Sequence, residues 1–436
     1  MKKILYLFLF TATITVAQQP KFQKIDSLLT FLNTNNKFMG SLAIHENGKM
    51  VFSKAYGFAD VETNKKLDEN TKLKIGSITK TYTATMIMQL IDEKKLTLDT
   101  KLSKFYPKIP NADKITIHLL LHHRTGILDY INGDSLVVNN MYRYNTREEM
   151  LDRIASYKPV FEPNLKFEYS NSNYNLLGYI LEDLTKKNYA ENLNSRIIKK
   201  LGLKNTSFPE KIDVSKNEGY SFSFNGKIWE KVPEWSNSLA FAAGAISSTP
   251  NDLNTFLNGL FEGKLVSETS LEQMKTMEDN YGMGLIIAPF DGKKFYGHTG
   301  GIENFRAASG YLPEEKLGFS IVVNGDNFNR NDIMIGVLSL FYNKPYTFPD
   351  LKGFAVNSET LRKYVGTYSS KAIPIKINVN EVDGSLSAQA TGQSAFPLTA
   401  KSNTEFVFAA GGIKLVFGDN KFTLKQGGID YEFIKD

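Results

Sequence analysis

The chain has 436 residues, 42% hydrophobic and 22% charged, with no cysteine and a formal net charge of +6. That length and balance suit a globular protein of more than one domain. The lack of cysteine excludes disulfides, a thiol nucleophile, thiolate metal sites and a lipidated N-terminal cysteine. Discounting Lys2 and Lys3, which lie in a segment expected to be removed, leaves +4, too small an excess to argue for nucleic acid.

Met1-Lys2-Lys3, the apolar run Ile4 to Val16 and the small residues before Gln18 read as a secretory signal peptide over residues 1–17. No other apolar run approaches the ~20 residues a membrane helix needs, so the expectation is an exported protein, periplasmic or secreted. The apolar spacing Phe22, Ile25, Leu28, Leu29, Leu32 predicts a helix. Ser41–Ile44 and Met50–Phe52, split by Asn47-Gly48, predict a hairpin, because Asn-Gly tolerates the positive φ angles of a tight turn. The run Lys74-Ile75-Gly76-Ser77-Ile78-Thr79-Lys80 then passes from a strand-like stretch into a helix expected to continue to Lys94 and Lys95. Residues 115–128 hold three of the five histidines; His118 and His122 stand four apart, but only leucines separate them and no glutamate follows to act as a metalloprotease base, so packing or loop roles are expected. A second helix is predicted from about Ser170 or Ser172, either of which could cap it. Asn205 to Asn237 reads as a loop or small-strand excursion, and Thr249-Pro250-Asn251-Asp252 opens another helix. Tyr281–Ile287, Lys294–Gly297, Phe305–Leu312 and Leu317–Asn324 read as strands of an antiparallel sheet covered by a helix over Asp332–Tyr342. Residues 344–357 read as a linker, and 358–436 as a small barrel or sandwich of short alternating strands.

Ser77 begins the only Ser-x-x-Lys in the chain. Residues three apart on a helix share a face, so Lys80 is expected beside Ser77 at a helix N-terminus, where developing negative charge is favoured. An amine next to a hydroxyl in that setting suits an activated serine nucleophile. Alone, Ser77 capping its helix and Lys80 lying in solvent would be as good a reading. Two further elements follow: Tyr169-Ser170-Asn171 before a predicted helix, and His298-Thr299-Gly300-Gly301 after a predicted strand. Tyr130-Ile131-Asn132 and Thr125-Gly126 repeat parts of these motifs without the same surroundings. No Gly-x-Ser-x-Gly elbow or phosphate loop stands out.

In order, type and context, these three motifs resemble the serine β-lactamase and penicillin-binding-protein superfamily, specifically its class C β-lactamase and DD-carboxypeptidase branch. The resemblance covers roughly residues 22–342, including Ile117–Ile127 and Phe167–Gly178; the C-terminal module matches an accessory domain only loosely. It implies an α+β fold, an antiparallel sheet covered by helices plus an all-helical subdomain (domain 22–343), followed by the small all-β domain. It also implies a Ser77 acyl-enzyme acting on peptide, amide or ester bonds, of D-alanyl-D-alanine carboxypeptidase, D-amino-acid peptidase or esterase type, with peptidoglycan stem peptides among the candidate substrates. Catalytic roles fall to Ser77, Lys80 and Tyr169, with either Lys80 or Tyr169 as base. Asn171, His298 and Thr299 are implied for substrate binding, and the backbone N–H groups of Ser77 and Gly301 for the oxyanion hole; no metal or cofactor is implied. Class C β-lactamases usually carry lysine where this chain has His298, whose charge is expected to vary across physiological pH. That favours peptides, amides or esters over β-lactams. A true β-lactamase and a non-catalytic penicillin- or peptidoglycan-binding protein are the rival readings.

Overall fold

The computed structural model describes residues 20–135, 140–349, 351, 354, 356–382, 384–391, 395–408, 413–426 and 429–436; the expected signal peptide lies outside them. The central sheet is antiparallel, built from β1 (Phe38–Glu46), β2 (Lys49–Tyr56), β3 (Ile286–Phe290), β4 (Lys293–Ile302), β5 (Phe305–Leu312) and β6 (Leu317–Asp326) in the order β2-β1-β6-β5-β4-β3. The β1–β2 hairpin turns on Asn47 and Gly48 with φ of 52° and 71°, the paired positive angles that the Asn-Gly dipeptide predicts. β1 lies against β6, so the first and last strands of the sheet meet at its centre, with Leu42 opposite Ile321. Helices α1 (Pro20–Thr34) and α7 (Arg330–Phe341) cover one face, burying Ile25, Leu28 and Val337 with Phe319 and Ile321.

The other face carries the larger core and the helical subdomain: α2 (Thr79–Asp92), α3 (Ile117–Leu121), α4 (Asn171–Thr185), α5 (Asn237–Gly244) and α6 (Pro250–Phe261). α6 starts as its sequence predicts, with Thr249 accepting from the Asp252 amide and Pro250 in the first turn. α2 ends at Asp92, before Lys94, whose φ of 58° leaves the helical region. The Asn205–Asn237 excursion contains two short strands, Phe222–Phe224 and Trp229–Lys231, which attach to the end of β6. Tyr281 is not in a strand; β3 begins only at Ile286.

The segment expected to be a linker packs its rings against the first core: Phe348 lies 5.6 Å from Phe31, and Tyr346 abuts Gly336. Beyond it, a short helix, α8 (Ser358–Tyr364), precedes a closed eight-stranded barrel running from Gly366–Ser369 to Ile429–Lys435. The choice between barrel and sandwich is thereby made, and three strands that the alternation did not reveal join it: Gly366–Ser369, Ser385–Ala390 and Phe396–Ala400.

β4 is pressed onto the turn that carries Ser77. A Cβ on Gly300 would lie 1.9 Å from the Ile75 carbonyl oxygen and 3.1 Å from the Ser77 nitrogen, whereas one on Gly301 would meet nothing closer than 3.7 Å. Gly300→Ala should therefore destabilise the protein by about 2 kcal/mol or more, and Gly301→Ala by no more than about 0.5 kcal/mol. Urea unfolding of the two variants, compared at equal m, checks the difference.

Candidate active site

Ser77 sits in a 3₁₀ turn (Gly76–Ile78) between a two-residue strand and α2. Gly76 adopts φ +52°, and a Cβ there would strike Gly301, so only glycine lets the turn approach β4. Three residues upstream, fully buried Lys74 pairs with Glu303 at 2.8 Å and Glu234 at 3.1 Å, tying the turn to the end of β4. The Ser77 side chain caps neither the turn nor α2, since no side-chain cap hydrogen bond forms at either N-terminus. Its hydroxyl is free for another use.

Lys80 is entirely buried and stands 3.1 Å from Ser77 Oγ. Its Nζ also donates to Asn171 Oδ1 and to the Ala243 carbonyl, each at 2.8 Å. The carbonyl comes from α5, which breaks at Phe241 (φ 34°, ψ −127°) and so turns Ala243 O toward the amine. Burial lowers the Lys80 pKa to about 7, against the opposing pull of Asp129. A neutral amine offers two N–H groups and one lone pair, matching two acceptors and one hydroxyl donor.

Tyr169 is half-buried, with its ring centroid 4.8 Å from Lys80 Nζ, and it lines the cleft beside Ser77. Burial raises its pKa well above the ordinary phenol value, the nearby Ser77 hydroxyl opposing and Asp129 reinforcing the shift. Behind it lies His123, ring to ring at 4.3 Å, whose Nδ1 accepts from the Ser170 amide at 3.1 Å. Burial holds His123 neutral, its pKa well below the usual imidazole value.

Asn171 opens α4, but neither Ser170 nor Ser172 caps that helix. Ser170 makes no cap bond, Ser172 Oγ donates to Leu128 O at 2.6 Å, and Asp129 Oδ1 takes the Asn171 amide at 3.0 Å from a separate loop. Asp129 also accepts from Asn171 Nδ2, at 3.1 and 3.3 Å. The Asn171 carboxamide is thus oriented by Asp129 and held on Lys80. The competing triplet is structural: Tyr130 is buried with its hydroxyl on Leu239 O at 2.5 Å, and Asn132 bonds Asp129. Thr125 bonds Asn173 at 2.7 Å.

His298, Thr299, Gly300 and Gly301 form the wall of a cleft of about 310 Å³, shared with Ser77, Tyr169, Tyr281 and Ile286. β3 pairs with β4 only as far as Gly297, opposite Ile286, so the 298–301 stretch borders the cleft instead of that neighbouring strand. His298 Nε2 lies 3.0 Å from the Tyr281 hydroxyl, and Nδ1 2.5 Å from its neighbour's carbonyl, Thr299 O. Burial drives its pKa down to about 4, with Lys80 adding to the effect and the Thr299 bond opposing it. The expected change of charge across physiological pH is therefore corrected: His298 is neutral throughout that range.

Ser77, Lys80, Tyr169, Asn171 and the 298–301 strand, dispersed over 225 residues of sequence, converge on one cleft. Asp129, Ala243, Tyr281 and His123 complete the surroundings and were not picked out as site residues in the sequence. Asp129 falls just beyond the Ile117–Ile127 stretch and no spacing marks it, and Ala243 acts through its backbone alone.

A covered sheet, a serine at a helix entrance and a buried lysine one turn away define a serine hydrolase of the β-lactamase and DD-peptidase type. The chain belongs to the Beta-lactamase family, whose model matches residues 35–339. It is 29% identical over 285 residues to the teichoic acid D-alanine hydrolase of Staphylococcus aureus (strain MRSA252), covering 63% of this chain and 67% of that one. The D-amino acid amidase of Ochrobactrum anthropi SV3, complexed with L-phenylalanine amide, superposes with a TM-score of 0.65 at 26% identity, over 74% of this chain and 99% of that one. The octameric penicillin-binding protein homologue from Pyrococcus abyssi superposes with a TM-score of 0.68 at 27% identity, over 95% of this chain and 99% of that one. Among the described residues no helix is long and apolar enough to cross a membrane.

Because Asp129 raises the Lys80 pKa, Asp129→Asn should lower it and release Asn171. Ser77 labelling by a fluorophosphonate should then keep its rate to lower pH than in the wild type while its plateau falls by about tenfold. The pH dependence of the labelling rate checks both effects.

Proposed function

We propose that this chain is an exported hydrolase that cleaves amide or ester bonds of D-amino-acid derivatives through a Ser77 acyl-enzyme. The observation that carries the reading is the Lys80 amine, buried, near neutrality in pKa and 3.1 Å from Ser77 Oγ. Between the two candidate bases, the geometry favours Lys80. As a neutral amine it keeps its N–H groups on Asn171 and Ala243 and receives the Ser77 proton on its lone pair. Tyr169, held far above its ordinary pKa, stays a phenol beside Ser77 and can hand a proton to the leaving group.

Attack by Ser77 Oγ on the substrate carbonyl gives a tetrahedral oxyanion facing the Ser77 and Gly301 amides, which stabilise it. Collapse expels the amine or alcohol and leaves the acyl ester on Ser77. Lys80 then passes the proton it took from Ser77 back to the Tyr169 phenolate, accepts a proton from the water that attacks the ester, and gives that proton to Ser77 Oγ as the acid leaves, restoring the free serine. Thr299 and His298 flank the acyl group on the open strand edge, His298 as a neutral hydrogen-bonding group rather than a cation. A neutral imidazole attracts a β-lactam carboxylate less than an ammonium does, so turnover of β-lactams should be slow. The names of two relatives, a teichoic acid D-alanine hydrolase and a D-amino acid amidase, support D-configured amides and esters as the first substrates to try. The apolar segment at residues 4–16 supports export to the periplasm or medium.

Full-length protein should be labelled once by fluorophosphonate or penicillin probes, and Ser77→Ala should take no label. Against D-alanine amides, D-alanyl-D-alanine and D-alanine esters, Ser77→Ala and Lys80→Ala should each lose roughly 10⁴-fold or more in kcat. The wild-type kcat/KM should rise with pH through a limb near 7, because Lys80 acts deprotonated. Label retained by Ser77→Ala, or an unlabelled wild type, sinks the acyl-enzyme reading and favours a non-catalytic binding protein. Nitrocefin hydrolysis faster than the D-alanine derivatives would make it a β-lactamase.

A further inference from the structure

His118, in the first turn of α3, and His122, at its C-cap, lie one turn apart, and the fold brings them a partner that the local sequence lacks. Glu278, more than 150 residues downstream, places Oε1 2.8 Å from His118 Nε2 and 3.9 Å from His122 Nε2. One donor atom from each of the three residues falls within 4.8 Å of the others. The two imidazoles face each other with centroids 4.5 Å apart.

The state of His122 decides what this cluster is for. Its Nδ1 is 3.1 Å from the Tyr281 carbonyl oxygen, and an oxygen that only accepts requires Nδ1 to carry the proton. The neutral ring then presents a bare lone pair at Nε2. That atom is buried, on a residue only 1% exposed, and has no hydrogen-bond partner. A lone pair facing a carboxylate oxygen is two acceptors with nothing between them, and a cation is what would join them. A ring N–H held by a backbone carbonyl is also how a metal-bound histidine is commonly oriented.

We propose that His118, His122 and Glu278 bind one first-row divalent ion, zinc by ligand type, which clamps the Glu278–Tyr281 segment onto α3. Two imidazoles and one carboxylate are a known zinc set, with bonds of about 2.0–2.2 Å and a fourth position left for water. Bonds of that length need donor atoms roughly 3.3–3.5 Å apart, so Glu278, about one-third exposed, shifts toward His122 and gives up its direct contact with His118. Arg124 lies 3.7 Å from the other Glu278 oxygen and is itself neutralised by Asp279. The ion would not enter the acyl-transfer chemistry. Its effect would be to anchor Tyr281, whose backbone holds His122 and whose hydroxyl reaches His298 on the cleft wall.

Untagged full-length protein, stripped with EDTA and titrated with Zn²⁺ and then Co²⁺ by calorimetry and absorption, tests this. Saturation at one equivalent is expected, with the intense visible bands of four-coordinate Co²⁺ and a raised unfolding temperature. His118→Ala and Glu278→Gln, both at positions about one-third exposed, should each weaken binding at least ~10-fold while unfolding cooperatively without metal. Absence of saturable binding below millimolar metal, or affinity unchanged in both variants, would overturn the proposal and leave a plain histidine–carboxylate contact.

Discussion

The burial of one lysine amine is the constraint on which the rest of the site depends. Lys80 has no exposed surface, and lowering its pKa from 10.5 to about 7 disfavours the ammonium by on the order of 5 kcal/mol. That penalty is tolerable only because the amine is fully hydrogen-bonded. Asn171, the Ala243 carbonyl and Ser77 each take one of its three positions, and each comes from a different element. The broken helix at Phe241, the Asp129 loop that caps α4 and the 3₁₀ turn at Gly76 all have to be in place before the amine has partners.

Asp129 holds the balance between two needs. Its carboxylate orients Asn171 and favours the ammonium, while burial opposes it; the two together keep Lys80 near neutrality instead of far below it. On the opposite wall, β4 approaches so closely that side chains are excluded at Gly300. His298, buried beside Tyr281 and near the lysine, carries no charge at physiological pH. The cleft is therefore organised around an amine poised between its charged and neutral forms and a neutral strand edge.

Much of this was legible in the sequence, and the reasons for the exceptions are physical. The hairpin at Asn47-Gly48, the strands Phe305–Leu312 and Leu317–Asp326, and the helices around Ser77 and Asn171 announce themselves by turn chemistry or periodicity. Ser77, Lys80 and Tyr169 stand in recognisable local patterns. Asp129 does not, because its cap on α4 bridges two loops 42 residues apart. Ala243 contributes a carbonyl, which any residue could supply. The neutrality of His298 is not legible in the sequence because its burial is created by Tyr281 and neighbouring strands, not by adjacent residues. Glu278 joins His118 and His122 only in space. Three barrel strands escaped notice because Ser-, Ala- and Thr-rich runs such as Ser385–Ala390 alternate weakly in hydrophobicity.

The site turns on Lys80 titrating near pH 7, where about half of it is a neutral amine able to receive the Ser77 proton. NMR titration of the lysine side chains in full-length protein, with the Lys80 signal assigned by its absence from Lys80→Arg, tests this directly. One lysine, lost in Lys80→Arg, should titrate with a midpoint near 7. A Lys80 midpoint in the ordinary lysine range would contradict it, and would shift the search for the base to Tyr169.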